Sequence, residues 1–75
     1  MKQPLCVYEI PGTRGLIVKV MKIEETRVYA CERLWGEEKD NKPFWRSIMS
    51  QNGRAFFKAY SCKVYLDDLN LQSAK

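Results

Sequence analysis

Two residues, Asn52-Gly53, constrain this chain more than any other feature. They separate two apolar, aromatic runs, Phe44-Trp45-Arg46-Ser47-Ile48-Met49 and Ala55-Phe56-Phe57-Lys58-Ala59-Tyr60. Both central residues of a type I′ turn need positive φ, and Asn-Gly adopts it with little strain. A two-residue hairpin turn fixes the pairing outward from it: Gln51 with Arg54, Ser50 with Ala55, Met49 with Phe56, Ile48 with Phe57. It continues with Ser47 facing Lys58, Arg46 facing Ala59 and Trp45 facing Tyr60. Facing residues share one side of the ribbon. One side then carries Ile48, Phe57, Ala55, Ala59 and Phe44, with Arg46 as its only charge, and reads as core. The other carries Trp45, Tyr60, Met49, Phe56, Arg54 and Lys58, and reads as a binding face.

A helix competes for part of this stretch. Pro43 suits a first helical turn and Gly53 a stop, so 43–51 also fits a helix that would make the fold α+β. The β-hairpin is the favoured reading, because the Asn-Gly signal and the aromatic runs agree with it.

The rest of the chain points to short strands. Leu5 to Ile10 is β-like, and Pro11-Gly12-Thr13-Arg14-Gly15 is a turn or loop. Leu16 to Ile23 is rich in β-branched residues, and Thr26 to Trp35 returns from it, with Glu24-Glu25 as a tight turn or the start of a longer loop. The charges at Arg27, Glu32 and Arg33 break alternation, which predicts a bulge or twist near the middle of the returning strand. Gly36 to Lys42 is a polar loop. Ser61-Cys62 is expected to turn the chain before Lys63-Val64-Tyr65-Leu66, and Asp67 to cap one helical turn that lays Leu69 or Leu71 over an open end of the sheet. Residues 1–4 and 72–75 read as tails. Five or six short antiparallel strands in one domain predict an all-β meander, closed into a small SH3-like barrel or strongly bent.

Length and composition limit function. Seventy-five residues bury one small core, with a net stability on the order of 3–5 kcal/mol. No apolar run nears the roughly 18–20 residues of a membrane span, and Met1-Lys2-Gln3-Pro4 does not begin a secretory signal. Cys6, Cys31 and Cys62 are odd in number and widely spaced, which fits neither a disulfide framework nor a zinc site and agrees with a reducing cytoplasm. The chain has no histidine. Ser47, Ser50, Ser61 and the cysteines therefore lack the usual activating base, and no enzyme and no cofactor is expected.

Charge is uneven. From Glu24 to Asp40 six acids meet three bases, whereas from Asn41 to Leu66 there are five bases (Lys42, Arg46, Arg54, Lys58, Lys63) and no acid. Aromatic residues run through the basic stretch, a combination that suits an anionic partner with flat bases. The candidate contact residues are Trp45, Arg54, Lys58, Tyr60, Lys63 and Arg46. Arg46, alone among apolar neighbours, is expected either at the sheet margin or paired with an acid. Gly12-Thr13-Arg14-Gly15 lacks the spacing of a phosphate loop, and Asp67-Asp68 has no further acid to complete a metal or acid–base site.

The pattern Phe56-Phe57-Lys58-x-Tyr60-x-x-Lys63-Val64-Tyr65-Leu66-Asp67-Asp68-Leu69 resembles the C-terminal part of small phage and mobile-element proteins of undefined activity. In those the turn tends to be Asn-Gly where this chain has Ser61-Cys62. The resemblance implies a bacterial or phage accessory protein and carries over no functional residue. Two functions follow as expectations. One is a nucleic-acid-binding module. The other is a module that binds and modulates a host protein, since aromatic residues and arginine also make protein hot spots. An exposed edge strand would offer a route to a homodimer.

Overall fold

The structure is a computed structural model, and it describes every residue except 1–3, 35 and 70–75. The expected strand end at Trp35, the packing of Leu71, and the tails apart from Pro4 lie outside the described residues.

The described chain forms seven short strands: β1 (Cys6–Glu9), β2 (Ile17–Ile23), β3 (Arg27–Arg33), β4 (Phe44–Ser47), β5 (Met49–Gln51), β6 (Arg54–Ala59) and β7 (Cys62–Tyr65). A single 3-10 turn, Leu66–Asp68, follows. All pairing is antiparallel between sequence neighbours, in two sheets ordered β1-β2-β3-β4 and β5-β6-β7. The meander expected from the sequence is present. The closed barrel is not: among the described residues β1 and β7 remain sheet edges.

The Asn52-Gly53 turn forms as expected, with φ of +53° and +77°. Gln51 pairs with Arg54, Ser50 with Ala55 and Met49 with Phe56. The predicted ladder then ends. Ile48 donates its backbone N–H to Thr26 O at 3.0 Å, and upstream of it β4 pairs with β3: Ser47 with Arg27, Arg46 with Val28, Trp45 with Tyr29 and Phe44 with Ala30. The expected pairs Ile48–Phe57, Ser47–Lys58, Arg46–Ala59 and Trp45–Tyr60 are thus replaced. Residues 44–51 are one extended path that changes partner at Ile48, and no helix forms over 43–51. The physical reason lies in two open accounts of the long hairpin. It would leave the edge of β3 away from β2 unpaired over Arg27 to Ala30 and Arg46 without an acid. The observed pairing satisfies both.

The predicted irregularity is real, but it falls in β2. The register shifts between Val20 and Lys22, leaving Met21 as the extra residue. The shift lets Ile23 share the inner face with Val18 and Val20, which strict alternation would have denied it. Glu24-Glu25-Thr26 then connects to β3, closed by Glu24 N–H to Arg27 O at 2.8 Å.

The second predicted turn moves by one residue. Tyr60 and Ser61, not Ser61 and Cys62, occupy it, with φ of +53° and +70°. This register sets Phe56 opposite Tyr65 and Phe57 opposite Val64. The expected register would have set Phe56 opposite Asp67, which is poorer packing.

One apolar cluster joins the two sheets. Phe57, Val18, Val20, Val28 and Val64 are its largest fully buried side chains. Leu69 packs against it just beyond the 3-10 turn, as the sequence indicates, while Phe44, expected in the core, is 55% exposed. Asp67 does not cap the turn: it lies within it, the cap position falls on Tyr65, and the Asp67 carboxylate is engaged by Arg54.

Candidate nucleic-acid interface

Phe57 points inward, so alternation turns Arg54, Phe56 and Lys58 outward on β6. Their cross-strand partners Gln51, Met49, Tyr65 and Lys63 share that outer face. The Phe56 and Tyr65 rings lie 5.5 Å apart at 49°. Phe56, expected to be open, is buried beneath its neighbours. Lys63 Nζ sits 5.2 Å from its centroid and also donates to Gln51 Oε1. The Arg54 guanidinium lies 3.9 Å over Tyr65. Arg54 and Lys63 are thus each held by a ring, which helps fix the position of those two charges.

Arg54 is largely neutralised. Its Nε donates to Asp67 Oδ2 at 3.0 Å, its Nη2 to Asp67 Oδ1 at 2.7 Å, and Asp68 lies 3.4 Å away. That hydrogen bond holds the Asp67 carboxyl below the usual carboxylate range and raises the Arg54 guanidinium further. Lys58 and Lys63 are different. They face each other directly across β6 and β7, and neither pairs with an acid among the described residues.

Arg46 is not a surface contact. It is 7% exposed, and its guanidinium grips Glu32, itself 5% exposed, through Nη1–Oε2 at 2.7 Å and Nη2–Oε1 at 2.9 Å. Nη1 also reaches Lys58 O at 3.4 Å, and the Phe44 ring lies 4.0 Å from the guanidinium carbon. A residue of β4 thereby ties β3 to β6. Of the two expected places for Arg46, pairing with an acid is the one observed.

Trp45 belongs to the other sheet. It stacks on Tyr29 at 5.0 Å, with the Arg27 guanidinium 3.8 Å from its ring centroid. Arg27 and Tyr29 were not foreseen, although alternation along Thr26 to Trp35 offered both. Tyr60 stands on the β6–β7 turn, 50% exposed, its Oη accepting a hydrogen bond from Asn41 Nδ2 at 2.9 Å. An aromatic residue in the left-handed region bears roughly 1–2 kcal/mol of strain. Of the six sequence candidates, Arg54, Lys58 and Lys63 share one face, Tyr60 stands at its end, Trp45 lies elsewhere and Arg46 is inside.

Three of the six acids of the acidic segment meet cations. Asp40 meets Lys19 at 2.9 Å and Arg33 at 3.7 Å, Glu24 meets Arg27 at 2.8 Å, and Glu32 holds Arg46. A hollow of about 440 Å³ beside Asp40 is bordered by Lys19, Cys31, Lys42 and Pro43, and Lys19 and Asp40 already pair with each other. The Gly12 loop closes on itself: Thr13 Oγ1 donates to Ile10 O at 2.5 Å and accepts from Leu16 N–H at 3.3 Å. Cys6 and Cys31 are buried, burial pushes both thiols up, and all three cysteines are free. No cluster of three metal-ligating side chains occurs among the described residues, and no helix there is long and apolar enough to cross a membrane.

Comparison with protein-family models, with curated proteins and with solved structures yields no match.

Proposed function

We propose that this chain is a non-enzymatic binding module that contacts nucleic acid through the outer face of β5, β6 and β7. The observation that carries the reading is the in-register pair Lys58–Lys63. Like charges directly opposite each other in a sheet destabilise it by roughly 0.2–1 kcal/mol. A polyanion lying across the pair turns that repulsion into attraction, and the Phe56 ring beneath Lys63 helps hold that cation in place. Glu24, Glu32 and Asp40 of the acidic segment are held by cations, which weakens the repulsion a phosphate backbone would meet there.

Mobility of single- and double-stranded probes at ~50 mM salt, where weak phosphate contacts still register, tests the reading. Retardation that fades with salt and is lost in Lys58→Glu is the expected result. Unshifted probes overturn it.

A host-protein partner, as for a phage or mobile-element accessory protein, is the second reading. It is favoured by Phe44, Val7 and Met49, large apolar side chains left exposed. Edge pairing of two copies and a cytoplasmic location belong to the same proposal, supported by the open edges β1 and β7 and by the free cysteines. The likeness to SH3-like barrels rests on the meander order and the partner change at Ile48, and the open edges stand against it.

A further inference from the structure

The rings on the outer face of the second sheet are already occupied by cations, so they cannot receive a base. Phe56 is buried under Lys63, and Tyr65 is covered by Arg54. Tyr60 is an exposed ring on the turn that joins the two lysine-bearing strands. It stands two residues beyond Lys58 in the chain and immediately follows β6, where β7 returns with Lys63. It also holds a backbone conformation that favours glycine or asparagine, with φ of +53°. Its one hydrogen bond, to Asn41, uses only the hydroxyl and leaves the ring unpacked enough to be 50% exposed. A strained, exposed aromatic beside unpaired cations is a poor choice for stability and a good one for contact.

We infer that the preferred ligand of this face is single-stranded nucleic acid, one base of which stacks on Tyr60 while its flanking phosphates meet Lys58 and Lys63. The inference rests on the nucleic-acid reading given above. A duplex keeps its bases stacked on each other and offers the ring nothing, so it binds through the lysines alone.

The test uses the full chain, a labelled oligothymidylate of about 12 nucleotides and a duplex of the same length, read by fluorescence anisotropy at ~50 mM salt. Tyr60→Asn removes the ring and suits the turn, so it should melt at or above wild type. Its affinity for the single strand should fall about 5- to 150-fold, the span expected for loss of one stacked base, with duplex binding unchanged. Tyr60→Phe, which keeps the ring and loses the Asn41 bond, should bind the single strand as wild type does. Equal single-strand affinity of Tyr60→Asn and wild type overturns the inference and leaves the nucleic-acid reading standing. So does a Tyr60→Asn variant that melts well below wild type, which would make the ring a structural element. A wild-type chain that binds neither probe overturns both.

Discussion

Glu32→Leu leaves the Arg46 guanidinium inside the protein with no counter-charge. Arginine cannot escape by losing its proton, so the whole desolvation penalty falls on the folded state. The two side chains are 5% and 7% exposed and joined by two short charge-assisted hydrogen bonds. Arg46 Nε already lacks a partner, and the remaining contacts, a 3.4 Å hydrogen bond to Lys58 O and the Phe44 ring, carry no opposite charge. Breaking one side of such a pair costs about 3–5 kcal/mol, similar to the 3–5 kcal/mol expected for the whole domain. The variant should therefore be largely unfolded at 25 °C, seen as loss of the cooperative urea transition in tryptophan fluorescence. The paired variant Glu32→Leu/Arg46→Met removes both charges and keeps the volume apolar. It should fold again, with a stability within about 1 kcal/mol of wild type or above it. A Glu32→Leu protein with a wild-type urea midpoint would refute the reasoning, because it would mean that Arg46 reaches water. A paired variant no better than Glu32→Leu alone would refute the claim that charge, not packing, dominates.

Phe57→Ala, at the centre of the cluster shared by both sheets, should cost about 3–5 kcal/mol and leave little folded protein by circular dichroism. Gly53→Ala tests the turn: a Cβ there meets nothing within 4 Å, so the loss, roughly 1–2 kcal/mol in a urea titration, is backbone strain alone. Arg54→Met bears on pH. The Asp67 carboxyl is held low by Arg54, so its contribution is present above the unfolded carboxylate pKa and disappears as pH falls through the lower folded value. The stability gap between wild type and Arg54→Met should accordingly narrow below about pH 4. Alkylation of the native protein should reach half-buried Cys62 first and leave buried Cys6 and Cys31 slow, as peptide mass mapping would show.

Local chemistry was readable and long-range pairing was not. Asn52-Gly53 announces its own conformation, because positive φ at both residues is a property of those residues. The inward face of β6 follows from it by counting, and Phe57 is indeed fully buried. Nothing near Ile48 marks the change of partner, since it depends on the free edge of β3 and on Glu32, 14 residues before Arg46 in the chain. That one switch sends Trp45 to another sheet and Arg46 onto Glu32, and so removes two of the six candidate contact residues. The charge count stopped at Leu66, one residue short of Asp67 and Asp68, which fold back on Arg54. A window two residues longer would have shown that this cation is answered. The slip of the second turn is a choice between registers of equal face parity, decided by the Phe56–Tyr65 ring pair rather than by turn residues.

The account stands on two lysines that oppose each other across β6 and β7 and await an anion. The most direct measurement is the salt dependence of single-strand binding for wild type and for Lys58→Ala/Lys63→Ala. Loss of two phosphate contacts should flatten the slope of log K against log salt by about 1.4, with the melting temperature unchanged or raised. An unchanged slope would place the phosphate contacts elsewhere and contradict the assignment of this face.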